Sequence, residues 1–145
     1  MAASGSTLHV APEGSDAADG SARHPWATIQ HAAVLVHAAD TVDVVPGQYP
    51  QIVLTRASWT GAARIRSVSD TPCGARIRTA GHECSWTDRG DYIDIEVFGI
   101  SGDCRIGILD LASSVRIAGN HVRDIPALNT GGRRCGHWQR QLHRP

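Results

Sequence analysis

The 145-residue chain has no lysine, a single methionine and a single phenylalanine, and aromatic residues make up only 5% of it. Its 14 arginines balance 14 acidic residues, so the formal net charge at pH 7 is zero. A balanced charge gives no indication of a nucleic-acid partner, because such a partner selects a basic surface. No apolar run approaches the roughly eighteen residues that a membrane-spanning helix needs. The sequence therefore predicts neither nucleic-acid binding nor a membrane span.

The N-terminal segment MAASGSTLHV lacks both the positively charged start and the apolar stretch of a secretory signal. The chain is therefore expected either to be cytoplasmic or to have had such a signal removed. Its four cysteines are Cys73, Cys84, Cys104 and Cys135. Cys73 and Cys84 flank a short apolar segment, so two alternatives stay open: a local disulfide between them in an exported chain, or four reduced cysteines.

The first forty residues indicate one strand followed by one helix. Residues 7–14 alternate polar and apolar side chains and end in a Pro-Glu-Gly turn, which is typical of a short strand. Further on, Ile29, Ala33 and Val36 recur on one helical face after a proline that suits the first helical turn. We predict a helix at about 25–38 that covers the apolar end of the following structure.

Short strand patterns then recur with no helix between them. They are TVDVV (41–45), RIRSV (64–68), YIDIEV (92–97) and SVRIAG (114–119). We align them on Val42, Ile65, Ile93 and Val115. The resulting repeat of 22 to 28 residues is typical of a solenoid. Because parallel strands without crossover helices do not form a βαβ sheet, we predict an all-β parallel β-helix of about four coils.

The same alignment places one charged residue of each strand on the outer face. These residues are Asp43, Arg66, Asp94 and Arg116, which alternate in sign. Stacked strands lie about 4.8 Å apart, so each charge would have an opposite charge beside it. Asn120, in a Gly-Asn turn, is expected to form hydrogen bonds between stacked turns.

Three N-terminal motifs resemble the start of right-handed parallel β-helix proteins of the pectate-lyase-like superfamily. They are APEGSD (11–16), PWATIQ (25–30) and DTVDVVPGQY (40–49). The later segments 91–100 and 114–125 look like successive coils of such a protein. The resemblance implies an exported protein that binds or cleaves acidic polysaccharide, often with calcium held by carboxylates. It assigns residues 1–130 to the N-terminal part of a β-helix domain.

The sequence departs from this resemblance at its end. Related proteins continue for more coils, whereas residues 131–145 form a basic segment with four arginines and no strand pattern. We interpret 131–145 as an irregular tail of a truncated or frame-shifted chain. An exposed solenoid end would then favour weak self-association through residues 112–128.

Several residues are candidates for polysaccharide chemistry. Lyases use an arginine or lysine base together with cation-bound carboxylates, so Arg116 is the candidate base, and Asp94 and Glu96 are candidate calcium ligands. Trp59 and Trp86 are candidates for stacking on sugar rings. The competing interpretation of the charged residues is a solvated charge ladder. The competing interpretation of the two tryptophans is packing under the loops.

We therefore predict a fragment of an exported polysaccharide-binding or polysaccharide-degrading protein that is catalytically incomplete. If it is active, we expect a polysaccharide lyase or a glycoside hydrolase. The alternatives are a non-enzymatic surface or interaction module and a truncated reading frame without activity.

Overall fold

The computed structural model describes residues 4–124, with the backbone alone at 82–83 and 103–105. The predicted tail 131–145 lies outside the described residues. The elements in chain order are β1 (Thr7–Val10), α1 (Ile29–Leu35), β2 (Thr41–Val44), β3 (Gly47–Tyr49), β4 (Val53–Thr55), β5 (Ile65–Ser69), β6 (Ala75–Asp88), β7 (Ile93–Glu96), β8 (Gly99–Asp110), β9 (Arg116–Ala118) and β10 (His121–Val122). In this part of the chain, α1 is far too short to cross a membrane.

The strands form two sheets in which every pairing is parallel. Sheet A has the order β1-β2-β5-β7-β9, and sheet B has the order β3-β6-β8-β10, with β4 also paired to β6. From β2 onward, successive coils contribute one strand to sheet A and then one or two strands to sheet B. The chain is a parallel β-solenoid of about three turns with one short helix, which confirms the predicted architecture. Its right-handedness and its exact number of coils stay predictions.

The register of sheet A agrees with the sequence alignment in the later coils and differs in the first. Ile65 lies beside Ile93, and Asp94 lies beside Arg116, as predicted. However, Val42 lies beside Ser67 instead of Ile65. A slip of two residues keeps the same side chains pointing inward, so hydrophobic alternation alone cannot distinguish the two registers.

Apolar side chains from both sheets fill the interior of the solenoid. The largest fully buried ones are Trp86, Tyr49, Phe98, Ile29, Ile65, Ile77, Ile93, Ile95, Ile100, Val10, Val42 and Val44. Each side chain of this size contributes about 1.5–3 kcal/mol when it is fully buried. The core therefore extends through every coil and continues under α1.

The helix is shorter than the predicted 25–38 and spans Ile29–Leu35. Trp26 cannot belong to it because it forms a parallel bridge with Val10. Thr28 is the N-cap: its backbone is extended, and its side chain accepts a hydrogen bond from the backbone N–H of His31. Val36 is already extended at the other end. The helix contacts β1 and β4 and covers one end of the core.

Asp16 explains why the APEGSD motif precedes this helix. Its Oδ1 accepts the backbone N–H groups of Ala27 and Thr28 at 2.9 Å, and its Oδ2 accepts the Thr28 hydroxyl at 2.7 Å. Burial opposes the charged carboxylate, but the hydrogen bonds from Thr28 and Ala27 outweigh it and lower the pKa of Asp16. The motif therefore fixes the start of the helix.

Asn120 connects neighbouring coils as predicted. Its Oδ1 accepts the backbone N–H of Phe98 and its Nδ2 donates to the carbonyl of Ile95, both at 2.8 Å. Cys73 is disulfide-bonded, whereas Cys84 carries a thiol, so a local disulfide between Cys73 and Cys84 does not form.

Candidate functional site

On the outward face of sheet A, opposite charges are paired. Arg64 donates from Nε to Asp94 Oδ1 at 2.9 Å, and its Nη2 also contacts this carboxylate. Arg66 donates from Nε to Glu96 Oε2 at 2.8 Å. The guanidinium of Arg116 lies 3.8 Å from the other oxygen of Glu96. The predicted register of Arg66, Asp94 and Arg116 is therefore confirmed across β5, β7 and β9. The ion pairs differ from the prediction, because Asp94 pairs with Arg64, and Arg66 and Arg116 both pair with Glu96.

The first step of the predicted ladder is wrong. Asp43 lies beside Val68 in β5 and not beside Arg66. The basic side chain beside it is His9 of β1, whose Nδ1 is 3.7 Å from the Asp43 carboxylate. The two-residue difference in register moves Arg66 beside Thr41. Burial raises the pKa of Asp43, and the charge of Asp70 raises it further.

The candidate calcium ligands, Asp94 and Glu96, lie two positions apart on β7, on the outward face of sheet A. Asp94 and Glu96 are both only 8% exposed because Arg64 and Arg66 lie over them. Calcium takes six to eight oxygen ligands. Between residues 4 and 124, no group of three or more His, Cys, Asp or Glu side chains could hold a metal. Calcium binding here would have to displace two arginines.

The remaining candidates lie in different environments. The Arg116 side chain is 65% exposed and accessible to a ligand. Trp86 is completely buried and packs against Phe98 with ring centroids 5.3 Å apart, so it has no exposed surface on which a sugar could stack. Trp59 packs against the core, and its buried indole Nε1 has no hydrogen-bond partner among the described residues.

The outward face of sheet B contains a groove that the sequence analysis did not identify. We call it the arginine groove and define it by Gln48, Arg76, Arg78, Gly99, Ser101, His121 and Arg123. Its floor is β8, where the outward residues are small, and its two walls are formed by β6 and by β10 with the residue that follows it. It contains two adjoining cavities of about 360 and 130 Å³.

Strand alternation builds this groove. In the segment ARIR (75–78), Ala75 and Ile77 are completely buried, so Arg76 and Arg78 point outward. Opposite them, Gly99 keeps the floor low: a Cβ at this position would lie 3.3 Å from Cγ of Arg76. The alternation in ARIR is a signal in the sequence, but it belongs to the second strand of the coil, which our alignment did not use.

The groove carries an excess of positive charge. Among the described side chains of residues 4–124, which exclude those at 82–83 and 103–105, Arg76 and Arg78 form neither an ion pair nor a hydrogen bond. Arg123 lies 3.7 Å from Asp124, but both side chains are more than half exposed, so this pair is weak. Among the described side chains, three guanidinium groups therefore face one carboxylate. A groove with this excess of positive charge is suited to binding an anion.

Asp88, the last residue of β6, is completely buried. Its Oδ1 accepts hydrogen bonds from the Thr55 hydroxyl and the Gly90 backbone N–H, whereas its Oδ2 has no partner among the described residues. Burial raises the pKa of Asp88 to about 6; the two hydrogen bonds oppose this change, and the charges of Asp110 and Asp91 reinforce it. This carboxyl faces the interior and does not belong to the groove.

Comparison with known proteins gives one result on the fold. No known family profile and no curated protein matches the chain. Among solved structures, it is similar to a protein named rhamnogalacturonan lyase, with a TM-score of 0.60 and 18% sequence identity. The chain shares its β-helix fold with that protein. This confirms the parallel β-helix fold that the N-terminal motifs predicted. The match covers 81% of this chain and 38% of the length of that lyase.

Proposed function

We propose that the chain binds acidic polysaccharide through the arginine groove. The observation that carries this proposal is the pair of exposed arginines, Arg76 and Arg78, which line a cavity of about 360 Å³ and have no carboxylate partner among the described side chains. Guanidinium groups bind carboxylates with two parallel hydrogen bonds. A cavity of this volume is in the range of small-ligand sites. The shared fold with a rhamnogalacturonan lyase supports a polysaccharide as the polymer.

The test compares polygalacturonate binding by two double variants. Arg76→Gln/Arg78→Gln removes two charges from the groove, and the matched control Arg23→Gln/Arg56→Gln removes two charges from exposed arginines elsewhere. Affinity electrophoresis or calorimetry should show a loss of about tenfold or more for the groove variant, because two charge-assisted contacts are removed. An equal loss in both variants would indicate nonspecific attraction and contradict the proposal.

The same proposal holds that the chain is catalytically incomplete. Arg116 is the candidate base if turnover is observed. We expect binding of polygalacturonate without formation of the unsaturated product, measured by its ultraviolet absorbance. If turnover is observed and Arg116→Ala abolishes it, the chain is a lyase with Arg116 as its base. If turnover survives this substitution, the assignment of Arg116 is wrong. Binding without turnover supports the non-enzymatic alternative.

Calcium, which the sequence resemblance implies, is tested by the same assay. The arginine groove recognises carboxylates directly, so polygalacturonate binding should be unchanged by a calcium chelator. A loss of binding with the chelator, restored by added calcium, would instead support the candidate ligands Asp94 and Glu96. Substitution of either carboxylate by its amide would then weaken binding.

Export to the cell exterior is supported by the disulfide at Cys73, since such bonds persist mainly in oxidising compartments. Weak self-association is also proposed for residues 112–128, of which 125–128 lie outside the described range. Among the described strands, β9 and β10 are the last of their sheets, and Leu111 and Val122 nearby are 55% and 39% exposed. Sedimentation should therefore show concentration-dependent association, and a strict monomer would contradict it.

A further inference from the structure

Two rows of outward residues cross the arginine groove. The first row consists of Arg76, Gly99 and His121, which are register partners on three adjacent strands. The second consists of Arg78, Ser101 and Arg123: Arg78 is the partner of Ser101, and Arg123 continues the ladder by donating its backbone N–H to Ile100. Residues two positions apart on a strand are separated by about 6.6 Å, so this is the distance between the rows.

Two adjoining cavities overlap the rows. The smaller cavity, about 130 Å³, includes Gly99 and His121 of the first row. The larger one, about 360 Å³, includes Arg78 of the second row and reaches Asp124. Arg76, Ser101 and Arg123 line both cavities, so the cavities are continuous along β8. A ligand that fills both must extend along β8, across the direction in which the coils stack.

The charges of the two rows indicate how many anionic groups the ligand carries. Arg76 belongs to the first row, while Arg78 and Arg123 stand on opposite walls of the second, about 9.6 Å apart across β8. One carboxylate held between Arg78 and Arg123 in the second row would leave the exposed guanidinium of Arg76 available to a second anionic group. A second carboxylate in the first row would meet Arg76 over the small floor residue Gly99.

We propose that the groove binds a segment of acidic oligosaccharide with two carboxylates, one in each row, and that the sugar chain lies along β8. This inference rests on the proposed function and names its minimum ligand. Arg78, Ser101 and Arg123 hold the first carboxylate, and Arg76 holds the second. Gly99 contributes to specificity because a side chain there would occupy part of the first row and press against Cγ of Arg76, which would lie 3.3 Å from the new Cβ.

The experiment measures the affinity of galacturonate and digalacturonate for the full chain by calorimetry. The disaccharide is expected to bind about tenfold more tightly than the monosaccharide, because it adds one charge-assisted contact. Arg76→Gln and Gly99→Ala should each remove most of this advantage of the disaccharide over the monosaccharide. Arg23→Gln, which removes the same charge from a distant exposed position, should leave both affinities unchanged.

Each outcome decides a different part of the inference. If both sugars bind equally while polygalacturonate still depends on Arg76 and Arg78, the two-carboxylate arrangement is wrong and the proposed function remains. If no uronate binds, the proposed function itself fails. If Gly99→Ala does not fold, Arg76→Gln gives the same test independently. Tighter binding of a sulfated disaccharide than of digalacturonate would overturn the assignment to carboxylates.

Discussion

The two outward faces of the solenoid use arginine in opposite ways. On sheet A, Arg64 and Arg66 lie over Asp94 and Glu96 and reduce the exposure of these carboxylates to 8% each. On sheet B, the arginines of β6 face solvent, and no carboxylate among residues 4–124 pairs with them. Strand alternation places the residues outward in both cases, so the difference lies in what the neighbouring strand supplies.

The comparison separates charges that support the fold from charges that are available to a ligand. A guanidinium that faces water needs no partner, because water solvates it well. A carboxylate that is nearly buried does need one, since an unpaired buried charge is strongly destabilising. Substitutions on sheet A should therefore affect stability, and substitutions on sheet B should affect binding.

The largest effect on the free energy of unfolding is expected at Asp88, a buried carboxyl whose Oδ2 has no hydrogen-bond partner among the described residues. Its pKa is about 6 in the folded protein, against an ordinary value of 3.8 for an aspartate in an unfolded chain, so the folded state binds more protons between these values. Stability therefore falls as pH rises from about 4 to 6, by up to about 3 kcal/mol. Asp88→Asn should remove this dependence and be the more stable protein at pH 7.5.

Urea unfolding of both proteins at pH 4.5 and 7.5 measures this difference directly. Carboxylates with lowered pKa values, such as Asp16, contribute an opposite slope that is common to both proteins and cancels in the comparison. A difference between wild type and Asp88→Asn that does not change with pH would show that the carboxyl does not titrate in this window.

The next largest effect compares one arginine from each face. Arg64→Gln leaves Asp94 nearly buried without its partner and should cost about 2 kcal/mol of unfolding free energy, less than for a fully buried pair because Arg64 is 30% exposed. Arg76→Gln should cost less than about 0.5 kcal/mol. Thermal or urea unfolding checks both, and equal costs would remove the distinction between the faces.

A smaller effect is expected from salt. Polygalacturonate binding through exposed arginines should weaken by about tenfold between 50 and 200 mM salt, because charges that face solvent are screened. The unfolding free energy should change less over the same range, since the carboxylates of Asp94 and Glu96 are nearly buried. Binding that does not depend on salt would show that the groove arginines are not the ligand contacts.

The smallest effect is expected at Arg116. Its side chain is 65% exposed and 3.8 Å from Glu96, whose other oxygen already accepts Arg66. Arg116→Ala should therefore change the unfolding free energy by less than about 0.5 kcal/mol. A loss above 1 kcal/mol, measured by urea unfolding, would assign Arg116 to the paired network of sheet A.

The fold was predictable from the sequence to the extent that local patterns encode it. The spacing of short strands without helices indicated a solenoid, and the hydrogen bonds of Asn120 between coils followed from its turn sequence. The start of α1 was misplaced because a proline pattern cannot reveal the pairing of Trp26 with Val10. The register between β2 and β5 was wrong because two registers bury the same side chains.

The candidate site was largely missed for a related reason. Charged residues are conspicuous on the strands of sheet A, which is why Asp94, Glu96 and Arg116 were predicted as site residues. The groove requires knowing that β6 lies beside β8 and that β10 lies beside β8 on the other side. The packing interpretation of Trp86 agrees with the structure, but its neighbours, Phe98 and Thr55, could not be predicted because they come from other coils.

The in-register rows of sheet B also determine which genetic changes such a chain can tolerate. Exchanging Arg78 or Ser101 for another residue alters the surface and leaves the interior intact. Inserting one residue between Arg76 and Ile77 would instead turn Arg78 inward and Ile77 outward, because neighbouring residues of a strand face opposite ways. Binding surfaces of this kind should therefore diversify by substitution within strands, and length changes should accumulate in the turns between them.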